Sequence, residues 1–382
     1  MRPIFSVLAI SFSLVASAAT IPDRFETIAR QADKARSQER VPEAIGLYRE
    51  GTKLRPSWFE GWWSLGTLLY DQDRFSEAGA AFEHLLASTR HHGPAFAFLG
   101  LCEYETGNYD SALERFRSWA RAGWGGTPEF RDVAEFHFAL LLTREGRFAE
   151  SLFLMGPLAQ RLGNNPELSE AMGLASLRMR SLPEDYPPND RERVWLAGRA
   201  ALYAALSTQD FPRANEYATR LESRYGTQPE VHYFRATLYG LEGQNDDAER
   251  EYRQELKISP LHVPSLTAIA AMDLERGNLA EAGELARRAV DADSGNPEAH
   301  DLAGRVLLAN GDLQASLREL EMAKRLAPGN SGVRGHLAMV YSKLGRTQEA
   351  KAESDALLLL TKKEEVMAPA EVKLGESREK VH

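Results

Sequence analysis

The stretch FEGWWSLGTLLYDQDRFSEAGAAFEHLLASTR, residues 59–90, decides the fold. It places Trp62, Leu65, Gly66 and Leu69 at helical spacing, then Ala78 and Phe82 on a second helical run. Two helices cross closely only where side chains are small, and Gly66 and Ala78 supply that crossing while the bulky residues pack around it. The stretch therefore reads as a helix–turn–helix hairpin.

The same spacing recurs along the chain. Units begin at Phe25, Phe59 and Gly93, and again at Trp195, Pro229, Val263, Pro297 and Ser331, spaced by 34 residues within each run. Their eighth position reads Ala32, Gly66, Gly100, Leu202, Ala236, Ala270, Gly304 and Ala338. Their twentieth reads Ala44, Ala78, Ala112, Ala214, Ala248, Ala282, Ser316 and Ala350. Gly107, Gly243, Gly277, Gly311 and Gly345 share the fifteenth position, where a helix ending in a left-handed residue favours glycine. Pro56, Pro260 and Pro328 mark where each second helix stops, and Pro229 and Pro297 are expected to open the next helix.

On these residues the chain resembles the tetratricopeptide repeat (TPR) family, over roughly residues 25–360. The resemblance implies an all-α, right-handed superhelical solenoid of about nine helical hairpins, one of them incomplete. It also implies a non-catalytic scaffold for protein or peptide partners. In this family the first helix of each hairpin lines the concave surface, through positions two, five, nine and twelve. Carried onto this chain, the candidate partner-binding groove is Trp63, Tyr70, Tyr104, Phe136, Arg199, Tyr203, Tyr233 and Thr237. Aromatic and arginine side chains are the types that dominate binding energy; the competing reading is that they pack on neighbouring repeats. The Lys/Asn clamp of TPR co-chaperones is absent, since its positions hold Ala29 and Asp33, Trp63 and Thr67, and Ala97 and Leu101.

Two breaks interrupt the period. The segment RAGWGGTPEF, residues 121–130, adds five residues, so the fourth unit begins at Asp132, with Ala139, Gly146 and Ser151 in the small and turn positions. Residues 166–180 then read as a helix with Gly173 at its close approach, while residues 181–190, SLPEDYPPND, replace the expected partner helix. Three prolines there, Pro183, Pro187 and Pro188, favour an extended loop. The expected organisation is an N-terminal block (20–180), a Pro-rich linker (181–190), a C-terminal block closed by a capping helix (191–361), and a charged, disordered tail (362–382).

The first 19 residues combine Arg2, an apolar run and small residues from Ala16 to Ala19, the layout of a secretory signal peptide. The expected location is exported, periplasmic or secreted, with no stable membrane insertion after cleavage. A net charge of -9 argues against nucleic acid as a partner. The single cysteine, Cys102, makes no intramolecular disulfide or Cys-rich metal site and reads as a buried small hydrophobe. No nucleotide-binding, zinc-protease or nucleophile-elbow motif occurs, so no catalytic residue and no cofactor is expected. His91 and His92 read as an exposed loop, and His232 and His300 as packing residues. The alternative function is a carbohydrate-binding or cell-wall accessory protein that stacks sugars on groove aromatics.

Overall fold

The computed structural model describes residues 24–88, 93–206 and 209–367. The signal-peptide reading, His91–His92 and the tail beyond Met367 lie outside the described residues. Among the described residues there are nineteen α-helices and no strand. The chain divides into two compact units, residues 1–90 and 91–382.

In the first unit, α1 (Arg24–Ser37) pairs with α2 (Val41–Leu54), and α3 (Phe59–Tyr70) with α4 (Phe75–Ser88). The α3–α4 crossing forms as the spacing predicts. A Cβ on Gly66 would sit 2.8 Å from the Phe82 ring, which is itself fully buried. Gly66→Leu is expected to cost about 1–3 kcal/mol by overpacking, read as a lower Tm in a thermal melt. Between α2 and α3, Gly51 and Gly61 leave room for the Trp58 ring, which meets Phe25 edge-on at 5.1 Å. Trp62 is only half-buried: its indole N–H donates to the Pro56 carbonyl at 2.9 Å and its ring stacks on His84.

In the second unit the hairpins are α5 (Gly93–Glu105) with α6 (Tyr109–Arg121), α7 (Pro128–Glu145) with α8 (Phe148–Leu162), α12 (Val231–Leu241) with α13 (Asn245–Ile258), α14 (Val263–Arg276) with α15 (Leu279–Ala292), α16 (Pro297–Ala309) with α17 (Leu313–Leu326), and α18 (Ser331–Lys343) with α19 (Thr347–Met367). The small twentieth position has a consequence where it is serine. Ser151 and Ser316 each donate at 2.7 Å to the carbonyl of the eighth-position residue, Ala139 and Gly304. The helices lie so close that a hydroxyl finds backbone instead of water.

One geometric position is shared by all nine regular turns. The fifteenth residue is left-handed throughout, including Glu39 (φ 55°), Asp73 (φ 55°) and Gln209 (φ 44°), where no glycine marked it. A left-handed residue with a Cβ costs roughly 1–2 kcal/mol. Glu39→Gly and Asp73→Gly are expected to stabilise the first unit, each by up to about 1 kcal/mol after glycine's larger chain entropy is subtracted, measured as a rise in denaturation midpoint.

Three expectations are corrected. First, the helix α9 (Pro166–Ser176) does not lack a partner: it packs on α10 (Arg191–Ala205), which also packs on α11 (Phe211–Tyr225). The crossing is a backbone contact, because a Cβ on Gly173 would overlap the Val194 carbonyl and one on Gly198 the Ser169 carbonyl. Leu202, the one large residue at an eighth position, is fully buried on α10, whose backbone approach to α9 runs through Gly198. The segment 181–190 lies within the second unit and is anchored: Leu182 is fully buried, Tyr186 packs on the α9–α11 core, and Pro188–Asp190 form one 3-10 turn. Second, α12 starts two residues after Pro229, at Val231, with Glu230 left-handed before it. Third, α19 extends to Met367, into the segment read as tail, and exposes Leu358 and Leu359.

Rows of helices follow from these pairings. First helices touch along α5, α7 and α9, and again along α14, α16 and α18. The helix between, α10, touches the second helix α8 on one side and the first helix α12 on the other.

Candidate interaction surface

The eight residues assigned to the groove fall in both units, two in the first and six in the second. In the first unit, Trp63 and Tyr70 are half-buried on α3, with their rings edge-on to Phe82 (5.8 Å) and Phe75 (5.4 Å) of α4. They contribute to the hairpin as well as to its surface.

In the second unit, α5 and α7 bring Tyr104 and Phe136 around His137, at 4.7 and 5.6 Å between ring centres. Burial, aided by the carboxylates of Glu184 and Asp185, raises the Tyr104 hydroxyl well above its ordinary pKa, and the same causes act on Tyr109. The acidic tip of the 181–190 segment thus faces this aromatic patch.

Arg199 and Tyr203 lie one turn apart on α10 and do come together. The Arg199 guanidinium donates to the Tyr203 hydroxyl at 2.5 Å and lies 4.7 Å from its ring centre. Tyr203 stacks on Tyr217 of α11 at 5.7 Å, and the Arg213 guanidinium lies 5.5 Å from the Tyr203 ring centre. Trp195 meets Tyr217 edge-on at 5.4 Å, is 45% exposed, and carries Arg220 at 5.7 Å from its ring. A ladder of directly packed aromatic rings flanked by guanidinium groups results, with cation–π attraction of about 0.5–2 kcal/mol per pair. Sequence reasoning found Arg199 and Tyr203 but missed Trp195, Tyr217 and Arg220. The available signal was that Trp195 is the one tryptophan outside residues 58–124.

Tyr233 belongs to a different cluster, with Tyr252 (5.8 Å), His262 (5.0 Å) and Arg178 (5.6 Å). Thr237 is spent within its own helix, its hydroxyl donating to the Phe234 carbonyl at 2.7 Å.

The insertion at residues 123–128 is structural. Trp119 is fully buried and donates its indole N–H to the Gly125 carbonyl at 2.8 Å, while Trp124 turns inward, edge-on to Trp119 at 4.9 Å. Cys102 is buried, and burial pushes its thiol up to about 12, so it is held as an unreactive thiol at neutral pH. No described helix is long and apolar enough to cross a membrane.

A tetratricopeptide-repeat family model matches residues 30–92, 64–127, 242–297 and 268–331, over hairpins of both units. The chain belongs to the TPR family. As a TPR protein it carries the architecture of a protein-interaction scaffold. It is similar to the cellulose synthase 1 operon protein C of Komagataeibacter xylinus, 27% identical over 226 residues, which cover 57% of this chain and 17% of that protein. The TPR chain thus spans under a fifth of the curated relative it matches. Among solved structures it is similar to MamA of Desulfovibrio magneticus RS-1 (16% identical, 45% of this chain and 96% of that chain, TM-score 0.39). It is also similar to the APC/C hetero-tetramer Cut9-Hcn1 (11%, 89% and 88%, 0.41) and to yeast Tom70 (10%, 93% and 96%, 0.33).

Proposed function

We propose that this TPR protein is a non-catalytic scaffold, exported to the periplasm or secreted, that holds a peptide segment of a partner protein. The observation that carries the reading is the ladder on α10 and α11, where Trp195 and Arg220 are exposed and Arg199 and Tyr217 are half-buried around the buried Tyr203 ring. Rigid aromatics and arginines bury large area at low entropic cost, so they suit hot-spot contacts. The signal-peptide layout of residues 1–19 supports export.

Trp195→Ala tests the site. Its side chain is 45% exposed, so the melt should stay within a degree of wild type. Partner recovery from an envelope extract, by a photocrosslinker placed at residue 195 and by pull-down, should fall at least tenfold. Equal recovery by the variant would remove this surface as the working one.

The second reading is a carbohydrate-binding accessory of the cell wall. It is favoured by the partial match to a cellulose synthase operon protein and by aromatic faces that suit sugar stacking. Titration with cello-oligosaccharides separates the two: saturable sugar binding lost in Trp195→Ala, with no peptide or protein captured, would replace the first reading by the second.

A further inference from the structure

The corner where one hairpin meets the next is built from three positions that recur every 34 residues, one on each of three helices. Between α13, α14 and α15 the corner is Leu256, Leu266 and Leu285, all within one apolar core. Between α17, α18 and α19 it is Lys324, Arg334 and Glu353, where the carboxylate accepts from Lys324 at 2.6 Å and from Arg334 at 2.8 Å. Between α15, α16 and α17 it is Val290, His300 and Glu319: the imidazole reaches Glu319 at 2.6 Å through Nδ1 and the Ser294 carbonyl at 3.1 Å through Nε2, so both ring nitrogens are used within the protein.

The remaining corner, between α11, α12 and α13, is Glu222, His232 and Glu251. Each offers one ligand atom, and the three atoms lie within 4.8 Å of one another. His232 Nδ1 is 2.6 Å from Glu251, repeating the His300 pair, but here the third position brings a second carboxylate in place of Val290. Two carboxylates face one imidazole, and none of the other three corners carries that excess of negative charge. Arg235 stands with Nε at 3.9 Å from Glu222 and directs its Nη atoms to Asn215 and Tyr239 instead.

We propose that Glu222, His232 and Glu251 form a binding site for a divalent transition-metal ion of the zinc type. One imidazole nitrogen and two carboxylate oxygens are a donor set that zinc accepts, with water completing a tetrahedron. Magnesium and calcium prefer all-oxygen sites and are disfavoured by the imidazole. The site draws one ligand from each of three helices, so the ion ties the α10–α11 pair to the α12–α13 hairpin. Its role is a staple within the repeat stack; Arg235 beside Glu222 lowers the affinity below that of a closed structural site.

The test is calorimetric titration of the full untagged chain with Zn2+, with Co2+ absorption as a spectroscopic reading. One equivalent should bind, Co2+ should give d–d bands, and Zn2+ should raise the Tm. Glu222→Gln is the deciding variant, because its amide keeps an oxygen beside Arg235, 3.9 Å away, while removing the anionic ligand, and each variant's Zn2+ response is read against its own metal-free melt. It should weaken Zn2+ binding at least tenfold and abolish the metal-dependent rise in Tm, as should Glu251→Gln. His300→Gln should bind Zn2+ like wild type. No binding to the wild-type chain, or binding unchanged in Glu222→Gln, overturns the proposal. Loss of binding in His300→Gln would move the site to the other histidine corner and equally overturn it.

Discussion

Gly198→Ala is expected to lower the Tm by several degrees, a large effect for a single methyl group. The new Cβ would overlap the Ser169 carbonyl on α9, and Gly173 opposite is just as tightly placed against Val194. Side chains swing aside; a helix carbonyl moves only with its helix. The cost should therefore fall at the upper end of overpacking, about 3 kcal/mol. Gly283→Ala is the matched control. It sits in the interior of α15, where a Cβ would meet Val306 at an ordinary 3.8 Å. That substitution should be neutral or stabilising by up to about 1 kcal/mol, since glycine is the poorer helix residue. Thermal melts of both variants decide the matter, and equal melting temperatures would mean that α9 and α10 do not touch backbone to backbone.

Glu255→Ala is expected to be comparably damaging for an electrostatic reason. The Glu255 carboxylate is fully buried on α13 and accepts from the backbone N–H groups of Glu230 at 3.0 Å and Tyr233 at 3.3 Å. It thereby caps the start of α12 in place of a local side chain, and an anion there also meets the positive end of the helix dipole. Alanine leaves two part-buried donors without this acceptor, at up to about 1–3 kcal/mol each. Glu255→Gln keeps one acceptor oxygen and should fall between. Hydrogen exchange should locate the damage, with faster exchange in the first turn of α12 and little change in α16–α17. Uniform exchange and an unchanged Tm would show that the cap contributes nothing.

The fold was legible because its rule is local and repeats. The period of small residues set each crossing, and glycines such as Gly107 and Gly277 announced left-handed turns that the structure contains. Glu39, Asp73 and Gln209 occupy the same conformation without announcing it, because the demand comes from the hairpin and not from the residue. The partner of α9 was misread for a related reason. Residues 181–190 do deny a helix, but the next helix returns and serves two neighbours, which no 34-residue ruler records. The surface was less legible still. Position within a repeat placed Arg199 beside Tyr203 correctly, yet Thr237 turned its hydroxyl inward and Tyr233 joined His262, because contacts across helices decide orientation. The Glu222, His232 and Glu251 corner spans three helices, so no short motif contains it.

The double service of α10 changes the sidedness of the second unit. Upstream it ranks as a second helix, beside α8; downstream it ranks as a first helix, beside α12. Counting helices, the inner row hands over to the outer row at this point, as a thread changes face when one stitch is added. The row of first helices α5, α7 and α9 ends at α9, and Arg199 and Tyr203 stand on α10 in the next row. The aromatic patch around His137 and the guanidinium ladder are therefore two separate berths. Were both patches to take ligands, carrying them on one chain would raise the concentration of each ligand as seen by the other. A stack with an even helix count would keep α10 in one row; the single odd helix makes it a member of both.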